Sequence, residues 1–206
     1  MIDSYPDTLA TIGIHLDDPW ACGWGNMRAS LYGVSAIPFS SQDGLYDAWP
    51  IGTYETKFLA RQAVPTDVTI DMKVYGSGAN WVVQAQVCIL LDGIGKTMKV
   101  WMAQVLDHYG PGTGDFDRNT ARTGSTGVNV TLAAGECETI YKLFVLDAVS
   151  LASPDNVKIF AWAQDPTFVS GWAEIHQAAK ALAPFAGILY DNFDDGTTSA
   201  WSATVP

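Results

Sequence analysis

From residue 68 onward the chain alternates. In VTIDMKVY (68–75) Val68, Ile70, Met72 and Val74 fall on one side, and Thr69, Asp71 and Lys73 on the other. That period of two is the mark of a half-buried β-strand. Apolar or alternating runs at 81–91 (WVVQAQVCILL), 98–106 (MKVWMAQVL), 128–132, 139–146 and 157–163 predict further strands. Turn-rich stretches separate them: GSGAN at 76–80, DGIGK at 92–96 and a long Gly/Asp/Asn/Thr loop over 110–127. Strands that follow one another without intervening helices predict an antiparallel, immunoglobulin-like β-sandwich. A short helix over 172–182 is expected to close it.

The first third reads differently. LATIGIHL (9–16) predicts a buried strand ending at Asp17-Asp18-Pro19. A helix is expected over 20–32, interrupted by Gly23 and Gly25 and stopped by Gly33. Residues 34–41 read as extended, Gln42-Asp43-Gly44 as a turn, and TYETKFLARQA (53–63) as a helix with Tyr54, Phe58 and Leu59 on one face. Strand, helix, strand, turn, helix is an α/β order, so the whole chain reads as α+β. It divides into an α/β segment over 1–65, a sandwich over 66–184 and a tail over 185–206.

Composition narrows what such a chain does. Its 206 residues carry 11 basic against 22 acidic side chains, for a net charge of −11, and 18 of the 22 are Asp. Binding to a nucleic-acid backbone rests on clustered Lys and Arg, so a nucleic-acid partner is excluded. No run approaches 18 apolar residues, so no membrane-spanning helix is expected. Asp prefers turns and caps, which places much of the acid excess between strands. The opening MIDSYPDTLA has neither a basic nor an apolar leader region. No signal peptide is therefore read in this chain, which is either cytosolic or part of something longer. Cys22, Cys88 and Cys137 show no Cys-x-x-Cys or zinc spacing. They read as small buried hydrophobes, with a Cys88–Cys137 disulfide as the alternative if their segments face each other.

Chemistry-bearing residues are scattered. His15 with Asp17 and Asp18 sits at a strand end, where metal binding competes with ordinary turn chemistry. Asp115, Asp117 and Asn119, and the cluster Asp191, Asn192, Asp194 and Asp195, offer oxygen ligands for calcium but lack EF-hand spacing. No cofactor is expected otherwise. Eight tryptophans are many for this length. Trp81, Trp101 and Trp162 lie in predicted strands and read as core. Trp20, Trp24, Trp49 and Trp201 lie at element edges or in loops, where such rings anchor protein contacts or stack on sugars.

Two sets of residues carry a resemblance. LATIGIHLDD followed by RASLYGVSAIPFSSQDG resembles the second half of a thioredoxin-like domain, which implies that Pro38 is its cis-proline. RNTARTGSTGVNVTLAAGE, FVLD, DNVKIFAWAQD and AEIHQAAKA are similar to the C-terminal sandwich of bacterial secreted proteins related to outer-membrane lipoproteins. Together they span about residues 7–183. The resemblance implies an extracytoplasmic, secreted or cell-surface location. It departs from the family at the redox centre. The strand and helix bearing Cys-x-x-Cys would precede Tyr5, and Cys22 has no second cysteine nearby.

A thioredoxin-like sheet without its first strand leaves 9–16 and 36–41 flanking a gap. Three resolutions are open: the two strands close up, the chain's own tail fills the slot, or another chain donates a strand. Ala186–Phe193, AGILYDNF, is the apolar extended segment suited to fill it, with Ile188, Leu189, Tyr190 and Phe193 as contacts. Donated head-to-tail, such a strand propagates a filament. The expectation is a non-catalytic protein that works through protein–protein contacts, with itself as one partner. The alternatives are a fragment of a secreted thiol–disulfide oxidoreductase and a carbohydrate- or calcium-binding module.

Overall fold

The computed structural model describes residues 1–37, 39–47, 51–109 and 118–181. In chain order the elements are α1 (Gly23–Leu31), the short strands β1 (Ser41–Gln42) and β2 (Tyr46–Asp47), and α2 (Tyr54–Gln62). There follow β3 (Val68–Ser77), β4 (Asn80–Ile89), β5 (Lys96–Leu106), β6 (Thr120–Gly124), β7 (Val128–Leu132) and β8 (Cys137–Val145). The described chain finishes with α3 (Ala148–Ala152), β9 (Val157–Gln164) and β10 (Ile175–Ala181).

Two antiparallel sheets pack face to face. One has the order β3-β4-β8; the other runs β10-β9-β5, with β6 and β7 sharing the far side of β5. Their inner faces meet in the main core, with Val83, Ala85, Val87 and Ile89 of β4 against Met98, Val100 and Met102 of β5 and Ile159 and Ala161 of β9. Burial patterns separate the two sheets. Along β4 buried and more exposed positions alternate, as expected where one face meets solvent. Along β5 and β9 nearly every residue is buried. The second face of that sheet carries Trp101, Ala103, Val105, Phe160 and Trp162, and α1 and the N-terminal run cover it through Ile12, Trp24, Met27 and Leu31. The fold thus has a third, irregular layer, and the cleft described below lies within it.

The strands expected from alternation are present: β3, β5, β7 and β9 contain the predicted runs, while β4 stops at Ile89 and β8 at Val145, short of the predicted ends at 91 and 146. Three expectations are corrected. AEIHQAAKA, expected in a helix over 172–182, instead forms β10, antiparallel to β9 from Ile175↔Gln164 to Ala181↔Ile159. Alanine favours helix by a few tenths of a kcal/mol per residue, and pairing along the β9 edge outweighs it. The predicted loop over 110–127 contains β6, a polar strand whose place comes from pairing with β5 rather than from its own pattern. The run 9–16 is not a strand. Its one bridge joins Gly13 to Thr120 in parallel, at the outer edge of β6.

Cys88 and Cys137 stand directly opposite each other on β4 and β8, with Cα atoms 4.0 Å apart, and are joined as a disulfide. The N-terminal segment is held by charge. Asp107, at the end of β5, accepts from Arg118 Nε at 2.6 Å and Lys158 Nζ at 2.5 Å, and Arg118 also reaches Asp3. Burial pushes the Asp107 carboxyl up, and the Arg118 and Lys158 hydrogen bonds more than reverse this, holding it well below its ordinary 3.8.

Two outcomes follow. Reducing the disulfide removes a cross-link over 49 residues and lowers unfolding free energy by about 2–4 kcal/mol, read by urea titration with and without reductant. A folded-state pKa below the unfolded one stabilises the fold above the ordinary carboxylate value, and that contribution is lost as pH falls below 3.8. Asp107→Asn should therefore destabilise the chain at pH 7 and lose stability less steeply than wild type below pH 4, in paired denaturation series.

Candidate functional site

A cleft of about 1190 Å3 opens in the third layer. Its floor is the second face of the five-stranded sheet, through Phe160 and Trp162 of β9 and Ile175 and Ala178 of β10. One wall is the run 9–16. The opposite wall is formed by Phe39–Asp43 with Tyr54, Phe58 and Arg61 of α2, while α1 contributes Trp24, Arg28 and Ala29. Most of these groups are apolar or aromatic. The cleft therefore lies between the two segments that sequence reading placed on either side of a missing strand.

The run 9–16 is extended but poorly paired. Between Ala10 and Ile14, only Gly13 makes backbone hydrogen bonds with other described residues, donating to Asn119 O and accepting from Ala121 N. Thr11 adds a side-chain bond, its Oγ1 accepting from Asn119 Nδ2 at 2.8 Å. On the facing wall, Ser41 Oγ and Gln42 Oε1 are buried without a hydrogen-bond partner among the described residues. Buried polar groups are almost always paired in folded proteins, so these two oxygens stand out on the cleft wall.

One polar knot fixes the cleft's geometry. Arg28, only 2% exposed, projects from α1 onto the sheet and donates from NH2 to Gln164 Oε1 at 3.1 Å and to Tyr32 OH at 3.1 Å. Gln164, at the end of β9, donates in turn to Tyr32 OH at 2.9 Å and to the Ala173 carbonyl at 2.8 Å. The guanidinium lies over the rings of Trp101 (4.4 Å), Tyr32 (5.1 Å), Trp162 (5.3 Å) and Phe168 (5.7 Å). No carboxylate pairs with it among the described residues. The negative ring faces and two hydrogen-bond acceptors hold the cation. Burial pushes its pKa down from 12.5, and the Tyr32 contact opposes this.

A second tie closes the far end. Arg61 of α2 donates to Asp43 at 3.0 Å and to Glu174 at 2.8 Å, while Ile175 N bonds Asp43 O and Ala173 N bonds Gly44 O. The β1–β2 turn is thereby held against the start of β10. Gly44, at φ +71, sits so close that a Cβ would lie 1.8 Å from the Ala173 carbonyl.

Trp24 sits between α1 and the sheet, with Nε1 donating to Ser125 O at 3.0 Å and its ring edge-on to Trp162. It presses on β6 so closely that a Cβ at Gly124 would lie 2.2 Å from its ring. Trp20 is half-buried, with its ring edge-on to His15, whose Nδ1 pairs with Asp18 at 2.7 Å. Trp49, Trp201, Ile188, Leu189, Tyr190 and Phe193 lie outside the described residues, as do Pro38, Asp115, Asp117 and the acidic cluster at 191–195. Asn119 accepts from Lys158 through its side-chain oxygen. Among the described residues no group of three His, Cys, Asp or Glu side chains is placed to hold a metal ion. Sequence reading passed over Arg28, Tyr32 and Gln164. Their signal was a single cation on the face of α1 and a lone glutamine ending the apolar strand VKIFAWAQ.

Arg28→Ala strips the rings of their cation and removes one of the two donors to Gln164 Oε1, leaving Trp162 Nε1 at 3.4 Å. Its expected cost is about 2–4 kcal/mol in equilibrium urea unfolding. Arg28→Lys should recover part of that, because an ammonium keeps the charge but not the planar stacking.

No protein-family model matches the sequence, and neither does the sequence of any curated protein. Solved structures do. HBP35 of Porphyromonas gingivalis superposes with a TM-score of 0.71 at 17% identity, over 85% of this chain and 65% of that one. The chain thus spans about two thirds of the length of that relative. Protein AGR_C_4864 from Agrobacterium tumefaciens gives a TM-score of 0.54 at 14% identity, over 86% of this chain and 79% of that one. A domain of the outer membrane lipoprotein Omp28 from Porphyromonas gingivalis also matches, at 13% identity over 59% of this chain and 92% of that one, with a TM-score of only 0.38. What is shared with the first two is the fold: face-to-face antiparallel sheets with the additional layer upon them.

Proposed function

We propose that this chain is a non-catalytic, extracytoplasmic protein that acts through protein–protein contacts, made by accepting an extended strand in the cleft. The observation that carries this reading is the cleft itself. It is a largely apolar cleft over a finished sheet, walled on one side by the run 9–16, which makes few backbone bonds among the described residues, and on the other by Phe39–Asp43. Strand addition satisfies backbone groups and fills apolar pockets with alternate side chains. The position of the slot agrees with a thioredoxin-like segment that lacks its first strand. The structural likeness to HBP35 of Porphyromonas gingivalis is consistent with a bacterial surface protein.

Location outside the cytoplasm is supported by the Cys88–Cys137 disulfide, since such bonds persist in oxidising compartments. The same pairing speaks against thiol–disulfide exchange by this chain. It leaves Cys22, whose Sγ accepts from Gly25 N at the start of α1, with no second free thiol. A second copy of the chain is a partner of suitable chemistry, and head-to-tail donation of residues 188–193 would build a filament.

Sedimentation and negative-stain microscopy across a concentration series test this reading. Concentration-dependent assembly is expected, abolished by Ile12→Asp in the slot wall while circular dichroism stays unchanged. A chain that stays monomeric at every concentration and takes up no strand overturns it.

A further inference from the structure

We infer that the outer edge of β8 is a self-complementary interface. Two copies of this chain pair their β8 strands antiparallel about Ile140, joining their three-stranded sheets into one of order β3-β4-β8-β8-β4-β3. The interface is separate from the cleft and does not rest on its reading as a strand acceptor. It closes on a twofold axis, whereas strand donation into the cleft propagates.

Three observations carry it. The first is the direction of the backbone groups. β8 is the last strand of its sheet and, among the described residues, pairs with β4 only. Just beyond its two ends, Leu146 N donates to Ala79 O and Glu136 O accepts from Ile89 N. Between them the register runs from Phe144↔Trp81 to Glu138↔Val87, so the even-numbered residues turn their N–H and C=O groups toward β4. The odd-numbered ones, Thr139, Tyr141 and Leu143 among them, turn theirs to the open side. Their side chains stand on the outer face of the sheet, where Tyr141 is 65% exposed, Leu143 51% and Val145 60%. An edge strand that shows such side chains to solvent is a template for another strand.

The second observation is charge. Lysine on an edge strand ordinarily deters pairing, because a foreign strand brings no answering charge. Here Glu138 precedes Lys142 on the same face of β8. Antiparallel pairing centred on Ile140 sets each Glu138 opposite the Lys142 of the second copy. Both contacts fall at non-hydrogen-bonded pairs, where opposing Cα atoms are about 4.5 Å apart and side chains meet most closely. Centring the pair on Lys142 would oppose two lysines, and centring it on Glu138 two glutamates. Centring it on Thr139 would offer Lys142 only Glu136, which lies before the strand and whose carboxylate already accepts from Ala133 N at 2.8 Å. The third observation is the match of the remaining positions. In the Ile140 register Thr139 and Tyr141 exchange backbone hydrogen bonds across the seam, as do Cys137 and Leu143, all through open-side groups. Leu143 then lies against the Cys88–Cys137 disulfide of the second copy, and the two Tyr141 rings are diagonal neighbours.

Sedimentation velocity on the full chain tests the inference. The open-ended growth that Ile12→Asp removes is a different process, so wild type and Ile12→Asp are both measured, and a closed dimer is expected in each. Lys142→Glu and Glu138→Lys should each weaken that dimer by about tenfold or more, because like charges then meet at both contacts. An equimolar mixture of these two variants should recover it, since every contact of the mixed pair again joins opposite charges. Tyr141→Pro removes an open-side amide and keeps every backbone bond to β4, so it should weaken the dimer while thermal unfolding stays within a few degrees of wild type. The inference is overturned if both chains sediment as monomers at every concentration. A dimer that survives the single charge variants, or that their mixture fails to recover, overturns it too. Growth that Ile12→Asp removes, with no dimer sensitive to the β8 variants, overturns it and leaves the cleft reading standing. A dimer sensitive to the β8 variants, with no growth that Ile12→Asp removes, bears it out and counts against the cleft.

Discussion

The arrangement of the third layer depends on one buried cation. Arg28 ties α1 to the sheet through Gln164 and four aromatic rings, at a place where water cannot share the charge. Quadrupoles and side-chain dipoles hold it in place of a carboxylate, so the contact depends on every ring being in position. Trp101 and Trp162 are fixed by β5 and β9, Tyr32 by the end of α1, and Phe168 by the turn before β10. The cation therefore registers the irregular layer against the regular one. With α1 set, the 9–16 run lies along β6. With Arg61 holding the β1–β2 turn to β10, the opposite wall is set as well. A slot of defined width remains between them.

The two layers below are built on different terms. The β3-β4-β8 sheet buries one face and is stapled by Cys88–Cys137. The larger sheet buries both faces, and its outer residues Trp101, Phe160 and Trp162 are themselves buried, with Ile12, Trp24, Met27 and Leu31 packed against them.

Much of this was legible in the residues. Alternation along 68–75 and the apolar runs at 81–91, 98–106 and 157–163 are local signals, and they placed the main strands. The helices at α1 and α2 followed from caps, spacing and turn residues. What was not legible is set by distant partners. AEIHQAAKA has a helix former's composition and becomes β10 because β9 offers an unpaired edge. TARTG carries no strand pattern and becomes β6 because β5 has a second side. LATIGIHL has the apolar texture of a strand, yet among the described residues it forms a single bridge. The Arg28 knot joins residues 136 positions apart in the chain, and no local pattern announces it. The walls and floor of the cleft are set by contacts between distant segments, and no local pattern gave them.

The central claim is that the slot between the 9–16 run and Phe39–Asp43 holds an extended strand. Nuclear Overhauser contacts in the isotopically labelled full chain test it most directly. The account predicts backbone-to-backbone contacts from Ile12 and Ile14 to an added strand outside both walls of the cleft. It would be contradicted if the amides of Ile12 and Ile14 showed contacts only to water and to side chains of their own wall.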